Sequence, residues 1–336
     1  TGKIYGTAPT LDIAKIILLD SAKINEEDAE RANEKSYTKH QPALPFYTTE
    51  DAERTVKMFV PVTKDAWHSF SENIKYRFRY NGHIIGATFI ELALYGKTFV
   101  FSGDVGRKDD LLLFPPEKPE WADYLFLEST YGGKLHPEES VSEKLIALIN
   151  ETVHNRGTLI IPSFAVERLQ TLMFLLWKLY NERRIPNIPI FIDSPMGNNV
   201  LDVFERFASW HKIPPAEFNA MNVVQRKALA DAMKQLIDEP TTIILMVGYQ
   251  AEGTRGRQLL EGAHELKFFG KYFPVKATVE HIESLSAHAD QNGILDWLSN
   301  IKNIPENTFL IHGEPTSLQT LRVKLEATFS WRVTVP

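Results

Sequence analysis

Short apolar runs that alternate with polar positions predict β-strands in the first third of the chain. Residues 86–104 contain two such runs, A-T-F-I-E-L-A-L and T-F-V-F-S-G-D, separated by Y-G-K. A glycine between two alternating runs is typical of a tight turn, so we expect a β-hairpin here. A third short run, at 124–127, follows a proline-rich connector and is followed by Glu128. Two predicted strands therefore terminate in carboxylates, at Asp104 and at Glu128.

The pattern changes in the middle of the chain, where strand-like and helix-like stretches alternate. The strand-like runs lie at 158–162, 188–193 and 241–247. Between them, residues 166–180 and 199–210 have the amphipathic spacing of helices. This alternation predicts a parallel sheet whose strands are joined by right-handed helical crossovers. We therefore interpret residues 132–275 as a separate α/β domain.

Short β segments return after Pro274. The runs V-K-A-T-V-E-H-I and N-T-F-L-I-H-G are separated by a predicted helix around 293–301. We expect both runs to rejoin the first domain, which divides the chain into residues 1–131, 132–275 and 276–336. A chain of 336 residues is long enough for about two domains of ordinary size.

Composition narrows the classes of function. With 37 Lys and Arg against 43 Asp and Glu, the net charge of −6 does not attract a phosphate backbone globally, so any nucleic-acid site must be a local groove. The chain has no cysteine, which excludes disulfides and thiolate metal sites and fits a cytosolic address. No apolar run approaches the ~20 residues that a membrane span requires, and we expect no leader. We therefore expect a soluble, cytoplasmic protein.

Five polar residues stand at or beside the ends of predicted strands, where open α/β sheets place their sites. They are His83, Asp104, Glu128, His288 and His312. Small neighbours in G-H-I-I-G-A, S-G-D-V-G-R and I-H-G-E would let backbone and metal approach closely. Imidazole and carboxylate ligands without cysteine suit a hydrolytic zinc site that keeps a position for water. We expect the remaining histidines to be surface or satisfied core residues: His40, His68, His136, His154, His211, His264 and His281.

The chain resembles the β-CASP family of metallo-β-lactamase-fold RNA nucleases. The motifs G-H-I-I-G-A, S-G-D-V-G-R, L-E-S-T-Y-G, S-A-H-A-D and I-H-G-E occur in the order seen in that family. I-P-S-F-A-V-E-R-L-Q, D-S-P-M-G and G-Y-Q-A-E-G-T-R-G-R are similar to its inserted domain. The resemblance implies an α/β fold, with a metallo-β-lactamase αββα sandwich whose N-terminal part is missing. It also implies an inserted α/β β-CASP domain that has a parallel sheet.

The resemblance assigns a role to each of the five strand-end residues. It makes His83 a ligand of one zinc ion, His312 a ligand of a second, and Asp104 the carboxylate that bridges the two. Glu128 supports His288 by a hydrogen bond. His288 then either protonates the leaving oxygen or contacts the scissile phosphate, because a departing alkoxide must be neutralised.

Other candidates for phosphate contact are less specific. Ser286 resembles the phosphate-contacting serine of the family, although a serine in a turn has an equally good structural interpretation. The motif at 248–257 offers glycine N–H groups and the arginines Arg255 and Arg257, but we favour a turn that ends a buried strand. Lys134 and those two arginines are candidates for a locally basic cleft. Arg168, in S-F-A-V-E-R, has two interpretations: it faces the interdomain cleft, or it lies on a helix surface, which is the more common outcome, so it stays outside the site.

Two features of the family are absent from this sequence. The principal zinc motif, H-x-H-x-D-H, occurs nowhere between Thr1 and Pro336, so this chain alone cannot complete two zinc sites. In the family that motif precedes sequence like T-G-K-I-Y-G-T, so we expect removal of an N-terminal segment rather than substitution of the ligands. Truncation, a separate chain and unobserved residues all stay open as its explanation. A Gly-Ser-Gly-Met type loop is also missing near Arg226, and we assign no substrate contact there.

These observations predict a zinc-dependent ribonuclease that cleaves single-stranded RNA between two domains, with metal-activated hydroxide as the nucleophile. Endonuclease and 5′ exonuclease action both remain open, as does a homodimer. A non-catalytic RNA-processing subunit or a truncated inactive form is supported by the missing motif and opposed by the five retained residues. A small-molecule metallo-hydrolase would leave the inserted domain without a purpose. A DNA-processing member is disfavoured because that branch generally lacks a histidine where this chain has His288.

Overall fold

The computed structural model describes residues 2–36, 38–192, 194–221, 236–268 and 271–336. Its strands are β1 (Ile4–Gly6), β2 (Phe59–Pro61), β3 (His68–Ser71), β4 (Ile74–Tyr80), β5 (Thr88–Leu94), β6 (Lys97–Phe101), β7 (Tyr124–Glu128), β8 (Thr158–Ile160), β9 (Thr242–Val247), β10 (Glu265–Phe268), β11 (Lys271–Pro274), β12 (Thr278–Ile282), β13 (Asn307–Ile311) and β14 (Val333–Thr334). Its α-helices are α1 (Ala8–Lys35), α2 (Thr49–Val56), α3 (Val141–His154), α4 (Arg168–Asn181), α5 (Pro195–Arg206), α6 (Pro215–Met221), α7 (Arg255–Leu260), α8 (Gln291–Leu298) and α9 (Pro315–Phe329).

The first large unit is a seven-stranded mixed sheet with the order β14-β13-β7-β6-β5-β4-β3. The strands from β3 to β6 are antiparallel neighbours, whereas β6, β7, β13 and β14 run parallel. The predicted hairpin is confirmed: β5 and β6 are joined at Tyr95 and Gly96, whose φ angles are 48° and 80°. Positive φ at both central residues is the turn geometry that matches the twist of paired strands.

The two faces of this sheet differ in what covers them. Val100, Leu125 and Leu310 point to a core formed with α8 and α9, where Trp297 and Leu321 are buried. Because side chains alternate along a strand, the neighbouring aromatic residues point the other way. On that second face Phe101, Phe126 and Phe309 form a stack with ring centroids 4.6 and 4.9 Å apart. Cross-strand aromatic pairs of this kind stabilise the sheet register.

The predicted parallel sheet of the middle region is confirmed. β12, β9 and β8 pair in that order, and both pairings are parallel. All six residues of β9 are buried, as expected for a central strand that is covered on both faces. One face packs on α3 and α4, while the other packs on Leu259 of α7 and Leu266 of β10.

The prediction that the run containing β12 rejoins the first sheet is wrong, because β12 pairs with β9 over residues 278–282. The chain crosses to the seven-stranded sheet only afterwards, where the Ala289 amide donates to the Val105 carbonyl at 2.7 Å. The three-stranded sheet therefore includes residues beyond 275. The three domain boundaries themselves stay a prediction.

The predicted strand at 188–193 is also not formed over residues 188–192, and Asp193 lies outside the described residues. Pro189 has no N–H to donate to a ladder, which disfavours pairing in the interior of a sheet. Helix α5 begins four residues before its predicted start, because the Ser194 hydroxyl accepts a hydrogen bond from the Gly197 amide at 3.0 Å and Pro195 suits the first helical position. The predicted departure near Arg226 lies outside the described residues as well.

A shared core joins the two units. Leu112 and Leu113, which follow β6, are fully buried against Val203 and Phe204 of α5 and Met173 of α4. This contact packs α4 and α5 against the segment that follows β6. Among the described residues, no helix combines the length and the apolar character needed to cross a membrane.

We expect Glu167→Gly to stabilise the protein. Glu167 is the centre of a γ-turn, with φ 66° and ψ −53°, in which the Arg168 amide donates to the Val166 carbonyl at 2.8 Å. Its side chain is 2% exposed, and neither carboxylate oxygen has a hydrogen-bond partner among the described residues. Glycine removes both the backbone strain and the buried acid, which together correspond to a gain of ~1–3 kcal/mol.

Thermal unfolding followed by circular dichroism checks this expectation. Glu167→Ala is the matched control, because alanine removes the buried acid but keeps a side chain at positive φ. The melting temperature should therefore rise more for glycine than for alanine. A lower melting temperature for glycine than for alanine would contradict the assignment of strain to this turn.

Candidate metal centre

Four of the five residues lie at or just after strands whose ends meet at one edge of the seven-stranded sheet. The prediction is wrong for His288, which lies six residues after β12 and reaches this edge through a β-bridge with Gly106. Glu128 is the last residue of β7, Asp104 follows β6, and His312 follows β13. Because these three strands are parallel, their carboxyl ends lie at the same edge. β4 runs in the same direction as β6, since each is antiparallel to β5, so His83 after β4 reaches this edge too.

The carboxylate of Asp104 lies between two imidazoles. His83 Nε2 is 3.5 Å from Oδ2 of Asp104, and His312 Nδ1 is 3.0 Å from Oδ1. Each oxygen therefore faces a different histidine. Donor atoms of His83, Asp104 and His288 also lie within 4.8 Å of one another, so the structure brings all three into one cluster.

Gly106 allows the two segments that carry His83 and Asp104 to lie in close backbone contact. A Cβ on Gly106 would stand 1.9 Å from the Gly82 carbonyl oxygen and 2.5 Å from the His83 nitrogen. The G-H-I-I-G-A and S-G-D-V-G-R segments thus pack backbone against backbone. The side-chain amide of Asn81 locks the second of these segments by donating to the Ser102 and Asp104 carbonyls, both at 2.6 Å.

The hydrogen bond between Glu128 and His288 implied by the resemblance is present. Glu128 is 1% exposed, and its Oε1 lies 3.1 Å from His288 Nδ1. The same oxygen accepts from the Val105 amide at 2.7 Å, while Oε2 accepts from the Thr130 amide at 3.1 Å. This carboxylate is therefore fixed in place, and it holds the ring of His288 at 4.4 Å from the ring of His83, measured between centroids.

Burial and neighbouring charges separate the protonation states of these groups. Burial and the charge of His288 lower the pKa of His83 to about 3, so this imidazole is neutral at working pH. Burial disfavours the charged form of His288, but the hydrogen bond and the charge of Glu128 outweigh it and raise its pKa. Burial and the charge of Glu128 raise the pKa of Asp104.

The donor set fits a metal ion. A neutral imidazole and a carboxylate are the forms that bind a divalent cation, and both oxygens of Asp104 face nitrogen donors. His83, Asp104 and His312 would hold the metal. His288 also lies within reach, but Glu128 engages its Nδ1, so only Nε2 is free to face the cluster.

The other candidates for phosphate contact differ in their distance from the cluster: Ser286 lies beside His288, whereas Arg255 and Arg257 make contacts elsewhere. Ser286 is buried next to His288, whose amide lies 3.4 Å from the Ser286 hydroxyl oxygen. Arg257 pairs with Glu261 on α7, and Arg255 stacks on Phe268 at 5.2 Å. Since β9 is buried throughout and ends at Val247, these contacts agree with the interpretation of 248–257 as a turn that ends a buried strand.

Two residues near the site were not selected from the sequence. Arg168, predicted to lie on a helix surface, is only 9% exposed, so that prediction is wrong. His136, assigned to the ordinary histidines, has its Nε2 2.8 Å from the His288 carbonyl oxygen. Neither carries a local signal in the sequence, because burial at the first turn of α4 and contact with residue 288 both depend on tertiary packing.

Comparison with known proteins agrees with the motifs. A model of the Beta-Casp domain matches residues 169–232, and a model of the Zn-dependent metallo-hydrolase RNA specificity domain matches residues 272–336. Ribonuclease TTHA0252 of Thermus thermophilus is 26% identical over 95% of this chain and 77% of that protein. An RNase J-like protein of Methanocaldococcus jannaschii is 27% identical over 93% of this chain and 76% of its own length.

More distant matches extend this relationship. Integrator complex subunit 11 of Danio rerio is 26% identical over 98% of this chain and 58% of that protein. A solved structure, a protein of unknown function from Enterococcus faecalis, aligns with 99% of this chain and 74% of its own at a TM-score of 0.52 and 12% identity, which supports the fold alone. The ordered motifs, the two domain matches and these relatives agree, and together they support the β-CASP family of metallo-β-lactamase-fold RNA nucleases.

Proposed function

We propose that this protein is a zinc-dependent ribonuclease that hydrolyses phosphodiester bonds of single-stranded RNA. The observation that carries the proposal is the position of Asp104, whose two carboxylate oxygens face His83 and His312 separately. A carboxylate arranged in this way suits a bridge between two metal ions. The relatives named as ribonucleases in Thermus and Methanocaldococcus support RNA as the substrate.

The division of labour among the residues follows from their environments. Bound zinc would supply an activated hydroxide nucleophile at neutral pH and offset the negative charge of the phosphate. His83 and Asp104 hold their donor atoms at the edge of the sheet, while Glu128 orients His288. As the bond between phosphorus and the 3′ oxygen breaks, His288 donates a proton to the departing oxygen. Ser286, buried beside His288, is proposed to contact the phosphate.

The substrate path is proposed to run between the two units. A cavity of about 600 Å³ is lined by Arg107 and Lys108 after β6, by Arg168 at the start of α4, and by Ser286.

We place the protein in the cytoplasm, because a chain of 336 residues without cysteine suits a reducing compartment. A homodimer is compatible with this arrangement, and endonuclease and 5′ exonuclease action both agree with it.

The test uses the complete protein. We expect inductively coupled plasma mass spectrometry to find bound zinc, and a labelled single-stranded RNA to be cleaved. Chelation should abolish cleavage, and added zinc should restore it, because the nucleophile depends on the metal. A DNA of the same sequence and a small ester serve as control substrates.

Each outcome separates the candidate functions. Zinc-containing protein that binds RNA without cleaving it would support a non-catalytic RNA-processing subunit, a role for which the missing H-x-H-x-D-H motif is the specific observation. If the ester or the DNA is cleaved faster than the RNA, that compound is the substrate and RNA is not. Protein that neither binds zinc nor cleaves RNA would overturn the proposal.

A further inference from the structure

Arg168 is a buried cation without a counter-charge in direct contact. It is the first residue of α4 and is 9% exposed. Among the described residues, no carboxylate lies within 4.0 Å of its guanidinium, and its Nη1 is inaccessible and has no hydrogen-bond partner. An arginine stays charged at any working pH, and burial of an unpaired charge is strongly unfavourable. The protein therefore retains at this position a charge that its own fold does not neutralise.

The adjacent acid does not supply the missing charge. Glu167 is fully buried, and its oxygens form no hydrogen bond with Arg168. Burial, together with the negative charge of Asp110, raises the pKa of Glu167 well above its usual range. Burial therefore disfavours the charged form of this carboxyl group.

The guanidinium lies close to the proposed catalytic histidine. It packs on Gly248, where a Cβ would stand 3.1 Å from Nη1 and 3.3 Å from Cζ, so a side chain at 248 would displace it. It lines one cavity together with Ser286 and Ala287, the two residues that precede His288. Tyr131 lies beside His288, with ring centroids 6.2 Å apart.

Arg168 also lines the cavity of about 600 Å³ that Ser286 borders. Carboxylates are numerous in that wall, but most of them already bond to other groups. Those acids are Asp109, Asp110, Glu139, Asp290 and Asp296. Arg107 is likewise paired, with Asp109. Arg168 is therefore the buried cation of the described wall that has no carboxylate in direct contact.

We propose that Arg168 binds a phosphate group of the RNA substrate, next to His288 and Ser286. This inference rests on the proposed function, since it names a further substrate contact of the same site. A guanidinium presents a planar fork of N–H donors that matches two phosphate oxygens, which a lysine ammonium cannot reproduce. The unpaired charge of the free protein is then neutralised in the complex with RNA.

The experiment measures RNA binding without chemistry. Metal-free protein is titrated into a fluorescently labelled, unstructured uridine-rich RNA, and the dissociation constant is followed by anisotropy at several salt concentrations. We expect Arg168→Met to weaken binding by about tenfold to a hundredfold, as for the loss of one charge-assisted contact. The slope of log K against log salt should fall by ~0.7, the value for one phosphate contact on a single strand. Arg168→Lys should recover part of the affinity and most of the salt slope.

Arg184→Met is the matched control. Arg184 lies just after the C-terminal end of α4, whereas Arg168 is the first residue of that helix. The side chain of Arg184 pairs with Glu143 on the surface. Its affinity and salt slope should equal those of the wild type. In steady-state cleavage by the metal-loaded protein, Arg168→Met should raise KM, while zinc content stays unchanged.

The outcomes distinguish this inference from the proposed function. Wild-type cleavage of RNA with unaltered binding by Arg168→Met would overturn the role of Arg168 and leave the ribonuclease intact. Wild-type protein that neither binds nor cleaves RNA would overturn both. If Arg168→Met lowers the melting temperature, Arg168→Lys decides: a folded lysine variant with wild-type affinity and KM would contradict bidentate phosphate binding.

Discussion

Replacing Asp104 by asparagine is expected to lower RNA cleavage by at least about 10³-fold and to release bound metal. The substitution keeps the size of the side chain but removes its charge and one of its two acceptor oxygens. Both oxygens are used, since Oδ2 faces His83 and Oδ1 faces His312. An amide cannot bridge two cations in the same way, so loss of metal and loss of activity should accompany each other.

Asp28→Asn is the matched control for this variant. Asp28 lies on α1 and its exposed side chain pairs with Arg31 at 3.8 Å, so the same chemical change there should leave activity and metal content at the wild-type level. Zinc content and initial cleavage rates are measured on the same preparations. An Asp104→Asn protein that keeps its full zinc content and cleaves RNA at the wild-type rate would exclude Asp104 as the bridging ligand.

Much of this site could be predicted from the sequence because it depends on short-range order. Glu128 ends β7 and Asp104 lies three residues after the end of β6, and parallel strands bring their carboxyl ends to one edge. The alternating pattern of β5 and β6 with a glycine turn also specifies the hairpin locally. Residues that share an edge in this way can be selected before any coordinates are known, even though the distances between them cannot.

Features that depend on distant packing were not predictable in the same way. The run at 278–282 has an ordinary strand pattern, and nothing in it distinguishes pairing with β9 from pairing with the first sheet. A helix-surface position is the more common outcome for an arginine such as Arg168, but the residue is 9% exposed and packs on Gly248 after β9. The γ-turn at Glu167 likewise carries no signature, because glycine would be the residue expected there.

The site also shows how one fold can give adjacent imidazoles different properties. His83 and His288 have ring centroids 4.4 Å apart, yet only His288 is bound to a buried carboxylate. The same Glu128 accepts from two backbone amides, so it cannot turn away from His288. We infer that this arrangement reserves His288 for proton donation and His83 for metal binding.

The second large effect concerns His288 and His312. We expect His288→Ala to slow cleavage by about 10²–10⁴-fold, the usual contribution of a general acid, while zinc content stays at the wild-type level. His312→Ala should instead lose zinc, because His312 faces Asp104 at 3.0 Å and has no carboxylate partner apart from it among the described residues. Metal analysis and single-turnover cleavage rates, measured for both variants, separate the two roles.

The variant Glu128→Gln tests separately whether the charge of Glu128 is needed for proton donation by His288. Glutamine keeps an oxygen for the Val105 or Thr130 amide but removes the charge that stabilises a protonated His288. The variant should therefore resemble His288→Ala in rate and the wild type in zinc content, and His288→Ala combined with Glu128→Gln should be little slower than either alone. A His288→Ala protein that loses as much zinc as His312→Ala would reverse the assignment: the cluster of His83, Asp104 and His288 within 4.8 Å would then be the metal site, and the general acid would have to be sought elsewhere.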